Sequence, residues 1–242
     1  TGRSLPTVNP LVFECNDGYL NDIQRMVITE QHYIAACNAA QVDVTQGAVG
    51  AGRGMSCFGL KGGIGTASRC CDGYTVGALV LANYGQLQQL ILAGKALGPL
   101  LAERLTQMNE PEKGSIILLL ATDAPLLPHQ CTRLAQRASL GIARTGGGNE
   151  DQSGDLFIAF ATGNQVPPAA YERKGAPTTD HLRMVNNDHI SELFLAATEA
   201  VEEAIINALL AADTVEGNGH SVPELDAATL PQALRSAGCP GV

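Results

Sequence analysis

The stretch "NEPEKGSIILLLATDAPLLP", residues 109–128, decides how the rest of the chain is read. A polar segment turns at Gly114-Ser115 into one of the most apolar runs in the sequence, which ends at the proline-punctuated "APLLP". Ile and Leu in close succession between a glycine and a proline predict a buried strand over 115–122. A serine between a glycine and such a strand has an ordinary explanation as turn chemistry. It has a chemical one too, because a serine at the head of a buried strand is held rigidly.

Working outward, "PHQCTRLAQRASLGIAR" (128–144) predicts a helix with Pro128 in its first turn, and "LFIAFATGN" (156–164) a strand after the glycine-rich loop 145–155. Upstream, "YTVGALVLANYG" (74–85) predicts a buried strand and 86–108 a mostly helical segment interrupted at Gly98-Pro99. The glycine-rich run 44–69 calls for close backbone approach and positive φ, as in a glycine-lined hairpin. "TVNPLVFECND" (7–17) reads as a short strand, 29–41 as a helix capped by Thr29, 165–187 as an exposed excursion and 189–213 as a long amphipathic helix. Long helices alternating with apolar strands give an α/β (α+β) chain in which helices cover sheets. The pattern marks no second domain.

Composition narrows the function classes. At 242 residues the chain can bury a sizeable core, and 45% apolar residues with 27 glycines and no tryptophan describe a globular chain rich in tight turns. A net charge of -9 speaks against nucleic acid or an anionic membrane surface as partner. Cys15, Cys37, Cys57, Cys70, Cys71, Cys131 and Cys239 form no CxxC pair and do not sit near histidines at zinc spacing. They read as free thiols of a reducing compartment, with no metal and no cofactor expected. Neither a signal peptide nor a run long enough to span a membrane is visible. The chain begins at Thr1 rather than Met, which reads as a piece of a longer precursor.

The familiar catalytic motifs fail. Lys61 follows Leu60 and precedes Gly62-Gly63, so GxxxxGK[ST] is absent, and there is no GxSxG elbow. His32, His129, His181, His189 and His220 lie at helix starts, on helices or in the tail, and none reads as a triad base. Serine without a histidine has one physical solution. If the bond before it is cut, its own α-amine, with a pKa of about 7.7–8.0, serves as the base. The hydroxyl can make that cut itself by attacking the preceding carbonyl, and glycine on the acyl side tolerates the strained geometry. Gly114-Ser115 by themselves leave the turn and the scissile bond both open.

The longer motifs decide. "KGSIILLLATDAPLLPHQCTRLAQRASLGIARTG" with "SGDLFIAFATGN" resembles the β subunit of the DmpA/β-peptidyl aminopeptidase family (L-aminopeptidase/D-esterase type, peptidase family S58). "ECNDGYLNDI", "VGAGRGMSCFGLKGGIGTASR" and "VGALVLANYG" resemble the later part of its α subunit. The resemblance implies an αββα four-layer sandwich, like N-terminal-nucleophile hydrolases in its layers but distinct in connectivity. It implies one catalytic domain over 1–242 that cleaves itself between Gly114 and Ser115 into 1–114 and 115–242. Ser115 is then the nucleophile of a hydrolase acting on peptides, or on aminoacyl amides and esters, with a free N-terminal residue. Asn83 corresponds to the oxyanion donor, Ser153 to a proton relay, Asp155 to the acid that orients Ser153 and holds the α-ammonium, and Glu14 to the acid facing the substrate amine. The resemblance also implies a homo-oligomer, a tetramer of heterodimers, while the free thiols point to the cytoplasm, with the periplasm as the alternative, and the net charge to no nucleic-acid or membrane partner.

Plainer readings stand beside these roles. Glu14 also reads as a solvated strand-end acid, Asn83 as a cap, and Ser153 and Asp155 as loop residues. Some members carry glutamate at the position of Asp155, and one type has an aromatic at Asn16. Family precursors also extend well upstream of Thr1. An acyltransferase of the ornithine acetyltransferase type, whose nucleophile is threonine, and a non-catalytic assembly protein on the same scaffold are the alternatives.

Overall fold

The computed structural model describes residues 9–103, 114–149, 151, 154–164, 179–226 and 228–239. Thr29 caps the first helix, α1 (Glu30–Asn38), its backbone N–H donating to His32 Nδ1 at 3.0 Å. No residue of α1 is buried. The glycine-rich run then forms a tight hairpin of β1 (Ser56–Cys57) and β2 (Leu60–Lys61). Phe58 and Gly59 turn it, both at positive φ (54° and 72°), the backbone a two-residue hairpin with the right twist needs. Asp72-Gly73 repeats the device between β3 (Gly63–Cys71) and β4 (Tyr74–Asn83).

A small hairpin, β5 (Ile91–Leu92) with β6 (Lys95–Ala96), and a short helix, α2 (Gly98–Ala102), lead towards β7 (Ser115–Thr122). Two helices, α3 (Pro128–Ala135) and α4 (Ala138–Thr145), carry the chain back to β8 (Leu156–Ala161). The 20-residue α5 (Ser191–Leu210), a hairpin of β9 (Val215–Gly217) with β10 (His220–Val222), and α6 (Thr229–Ser236) follow.

The main sheet has the order β3-β4-β7-β8, antiparallel except for the β7–β8 pair, which is parallel and so needs the α3–α4 crossover. Side chains alternate along each strand, so register sorts them onto two faces. One face carries Val80 opposite Leu118, Ala82 opposite Ile116 and Ala78 opposite Leu120, all buried under α5 and its neighbours. Burying each large aliphatic side chain there contributes about 1.5–3 kcal/mol. The approach of α5 is close enough that a Cβ at Gly65 would run into the Ala204 carbonyl. Arg69 bridges to Glu199 at 3.3 Å across the same contact.

The second face carries Leu79, Leu81, Ile117, Leu119 and Ile158, and ends in Asn83 and Ser115. Phe13, Met55 and Ile64 close over Leu81 and Ile117, while Leu156 and Phe160 are 39% and 50% exposed. Beside the small hairpins, the described residues thus supply one four-stranded sheet and one helical layer, and that sheet is apolar on both faces, as a sheet inside a layered sandwich must be.

Several expectations shift. Residues 9–17 make no ladder among the described residues, because an extended segment needs a partner strand to become one. The segment 86–102 is not mostly helical: Ala93-Gly94 turn at positive φ into β6, and Pro99 starts a helix rather than bending one. The helix expected over 128–144 is broken between Ala135 and Ala138. Residues 104–113 and 165–178 lie outside the described residues.

Candidate active site

Register brings Ser115 and Asn83 together. They are direct partners at the end of the β4–β7 ladder, and alternation sends both side chains out of the same face. Gly114, just ahead, has no room for a side chain: a Cβ there would run into the Asn83 carbonyl and lie 2.8 Å from Asn83 Nδ2. The Asn83 amide nitrogen therefore sits beside Gly114, the residue before Ser115.

The Asn83 carboxamide is buried and held at both ends. Its Oδ1 accepts from the Ser56 N–H at 2.8 Å, and its Nδ2 donates to the Asn16 carbonyl at 2.9 Å. Nδ2 has two protons, so one is left over. Ser115 Oγ accepts from the Gly154 N–H at 3.1 Å, a contact that favours the hydroxyl's deprotonated form.

The segment around Cys15 crosses the head of β7, the Cys15 thiol reaching the Ser115 carbonyl at 3.5 Å. Burial pushes that thiol up to about 12, and the carboxylates of Glu14 and Asp155 add in the same direction. Both acids therefore act electrostatically on a group that touches Ser115. Glu14 is exposed, and Asp155 is half-buried, lining a recess of about 390 Å³ with Ile91, Ile142, Gly147, Asn149 and Phe157. Ser153 lies outside the described residues.

Sequence reasoning missed three groups here: the backbone N–H of Gly154, that of Ser56, and Lys61. Lys61 is fully buried, and its Nζ donates to the carbonyls of Gly52 at 2.9 Å, Gly62 at 2.8 Å and Met55. Burial, helped by Arg53, pulls it down to about 8. A signal existed: Lys61 is the one charge between Arg53 and Arg69, in the midst of glycine and apolar residues. Among the described residues no cluster of His, Cys, Asp and Glu suits a metal ion, and no helix is long and apolar enough to cross a membrane.

A mixed sheet backed by helices is the α+β arrangement of the DmpA-type aminopeptidases. It occurs in the L-aminopeptidase D-Ala-esterase/amidase of Ochrobactrum anthropi, described as a variant of the Ntn hydrolase fold (TM-score 0.81, 42% identity, 92% of this chain and 61% of that one). The chain belongs to peptidase family S58, whose model matches residues 1–222. It is similar to a β-aminopeptidase of Burkholderia sp. at 56% identity and a TM-score of 0.85, over 92% of this chain and 63% of that one. It is 42% identical over 245 residues to the β-peptidyl aminopeptidase BapA of Sphingosinicella microcystinivorans, covering 93% of this chain and 61% of the relative. The chain thus spans about three fifths of the length of these relatives.

Proposed function

We propose that the protein is a self-processing serine aminopeptidase/amidase whose nucleophile is Ser115. The observation that carries this is the joint placement of Ser115 and Asn83 at the end of one ladder, with the Asn83 amide nitrogen beside Gly114. In the first step Ser115 Oγ attacks the Gly114 carbonyl carbon, and the oxyanion forms next to Asn83 Nδ2. The C–N bond breaks to leave an ester, and water hydrolyses it to a carboxylate on Gly114 and a free α-amine on Ser115. The chain becomes two pieces, 1–114 and 115–242, of one catalytic domain.

The freed amine then takes the proton of Oγ as it attacks the carbonyl of a substrate's N-terminal residue, and passes that proton to the leaving amine. Water completes the cycle by hydrolysing the acyl-enzyme. Asn83 supplies an oxyanion donor, a contribution of about 2.7–4 kcal/mol for a comparable group. Gly154 N–H favours the alkoxide, Ser153 relays protons, and Asp155 orients Ser153 and holds the α-ammonium. Glu14, on the segment that crosses Ser115, faces the substrate's ammonium, which restricts action to free N-termini.

The names of the BapA and Burkholderia relatives point to N-terminal β-residues as substrates, within the broader class of aminoacyl amides and esters. The seven free cysteines favour a reducing, cytoplasmic setting, and the family resemblance favours a tetramer of two-piece protomers. Mass spectrometry of the purified protein tests the proposal: a fragment beginning at Ser115 is expected, and Ser115→Ala should abolish both the fragment and turnover. An intact chain with full activity overturns it. A panel of α- and β-aminoacyl p-nitroanilides in L and D forms then sets the substrate preference.

A further inference from the structure

Lys61 is buried with three backbone carbonyls around its ammonium and no carboxylate within ion-pair distance among the described residues. An apolar side chain of similar volume would fill such a site without the desolvation cost of a charge. Which carbonyls it binds gives the charge a use. The Met55 carbonyl and the Ser56 N–H are the two ends of one peptide group. Lys61 donates to the oxygen end, and the other end donates to Asn83 Oδ1 at 2.8 Å.

Hydrogen bonds in series polarise one another. The ammonium draws electron density onto the Met55 oxygen, which makes the Ser56 N–H a better donor. That donor draws density onto Asn83 Oδ1, which makes the Nδ2 protons better donors in turn. The bonds from Lys61 to Gly52 and Gly62 hold the same loop in place. With the Ser56 N–H fixed, only Oδ1 can face it, so Nδ2 is kept on the side of Gly114 and Ser115.

We propose that Lys61 is a positioning residue for the oxyanion donor, orienting and polarising the Asn83 carboxamide through the Met55-Ser56 peptide group. The proposal rests on the reading of Ser115 as nucleophile and Asn83 as oxyanion donor, and it deepens that reading.

The test is a double-mutant cycle in the complete protein, with Lys61→Met, Asn83→Ala and the pair assayed on an aminoacyl p-nitroanilide and checked for folding by circular dichroism and melting. Lys61→Met should lower kcat by about 10- to 100-fold, the usual cost of losing an outer partner that orients an active group, with KM within about twofold. In the Asn83→Ala background the same substitution should cost almost nothing, because its effect runs through Asn83. Equal losses in both backgrounds, or no loss in either, overturn the proposal. Should Met not fold at this position, Lys61→Gln, which keeps a donor without the charge, serves instead, and a folded Gln variant with unchanged kcat overturns it as well. Ser115→Ala with undiminished turnover would sink the underlying reading, an outcome separate from either result at Lys61.

Discussion

Asn83 and Ser115 face each other as the last pair of the β4–β7 ladder, and the carboxamide of the first is locked by Ser56 on one side and Asn16 on the other. An amide clamped in this way needs no reorganisation when charge develops beside it, which is the property an oxyanion donor requires.

Asn83→Ala removes that donor and leaves the Ser56 N–H without its buried acceptor. The expected loss in kcat is about 10²–10³, with a stability cost of about 1–3 kcal/mol. Steady-state kinetics and urea denaturation measure the two separately, and a kcat within a factor of about three of wild type would remove Asn83 from the chemistry.

Gly114→Ala places a Cβ against the Asn83 carbonyl and forces the Gly114-Ser115 peptide away from the amide nitrogen. A misplacement of this kind slows a positioned reaction by about 10²-fold. Time-resolved intact-mass measurement should show the unprocessed chain persisting long after the wild type has released its Ser115 fragment. Processing at the wild-type rate would mean that the peptide tolerates the shift.

Gly65→Ala and Gly77→Ala make a matched pair on neighbouring strands. At Gly65 the new Cβ collides with the α5 backbone at Ala204, whereas at Gly77 it meets only the Ala121 carbonyl, at 3.9 Å. Melting should show Gly65→Ala destabilised by about 1–3 kcal/mol and Gly77→Ala close to neutral. Equal effects would contradict the close seating of α5 on β3.

The pH dependence of stability carries the mark of Lys61. Burial lowers it from its ordinary 10.5 to about 8, so between these values the unfolded chain binds more protons than the folded one. Stability from this group therefore rises with pH across that window. Cys15 and Cys57, raised from 9.0 to about 12, act in the opposite sense above pH 9. Subtracting the Lys61→Met urea curve from that of the wild type cancels Cys15 but not Cys57, which interacts with Lys61, so the difference is read from pH 8 to 9, below the thiols' range, where it should climb. A flat difference would place the ammonium in water.

Thiol labelling separates the cysteines by environment. Cys57 is wholly buried, its thiol pushed up to about 12, whereas Cys37 and Cys70 are exposed. Maleimide at pH 7.5 followed by mass spectrometry should label Cys37 and Cys70 first and Cys57 only on unfolding.

Much of this was legible in the chain. The strand at Ser115–Thr122 needed only the unbroken apolar run Ile116–Ala121 between Gly114 and Pro125, and α5 only its 3.6-residue apolar spacing. Segment 86–102 misled because its apolar residues suit a helix, while Ala93-Gly94 imposes a turn that local hydrophobicity does not reveal. Ser115 and Asn83 were reached through long motifs. The backbone donors of Ser56 and Gly154 were not, because a peptide N–H carries no mark in a sequence.

By itself, then, the sequence determined the apolar strands, the long helix and a serine set between glycine and a buried strand, since each depends on neighbours along the chain. Tertiary structure alone decided that Asn83 would lie opposite Ser115, that Gly114 would have no space for a side chain, and that Lys61 would reach Asn83 through one peptide group. The physical reason is register: side chains alternate every second residue, and a slip of one would have sent Asn83 and Ser115 to opposite faces.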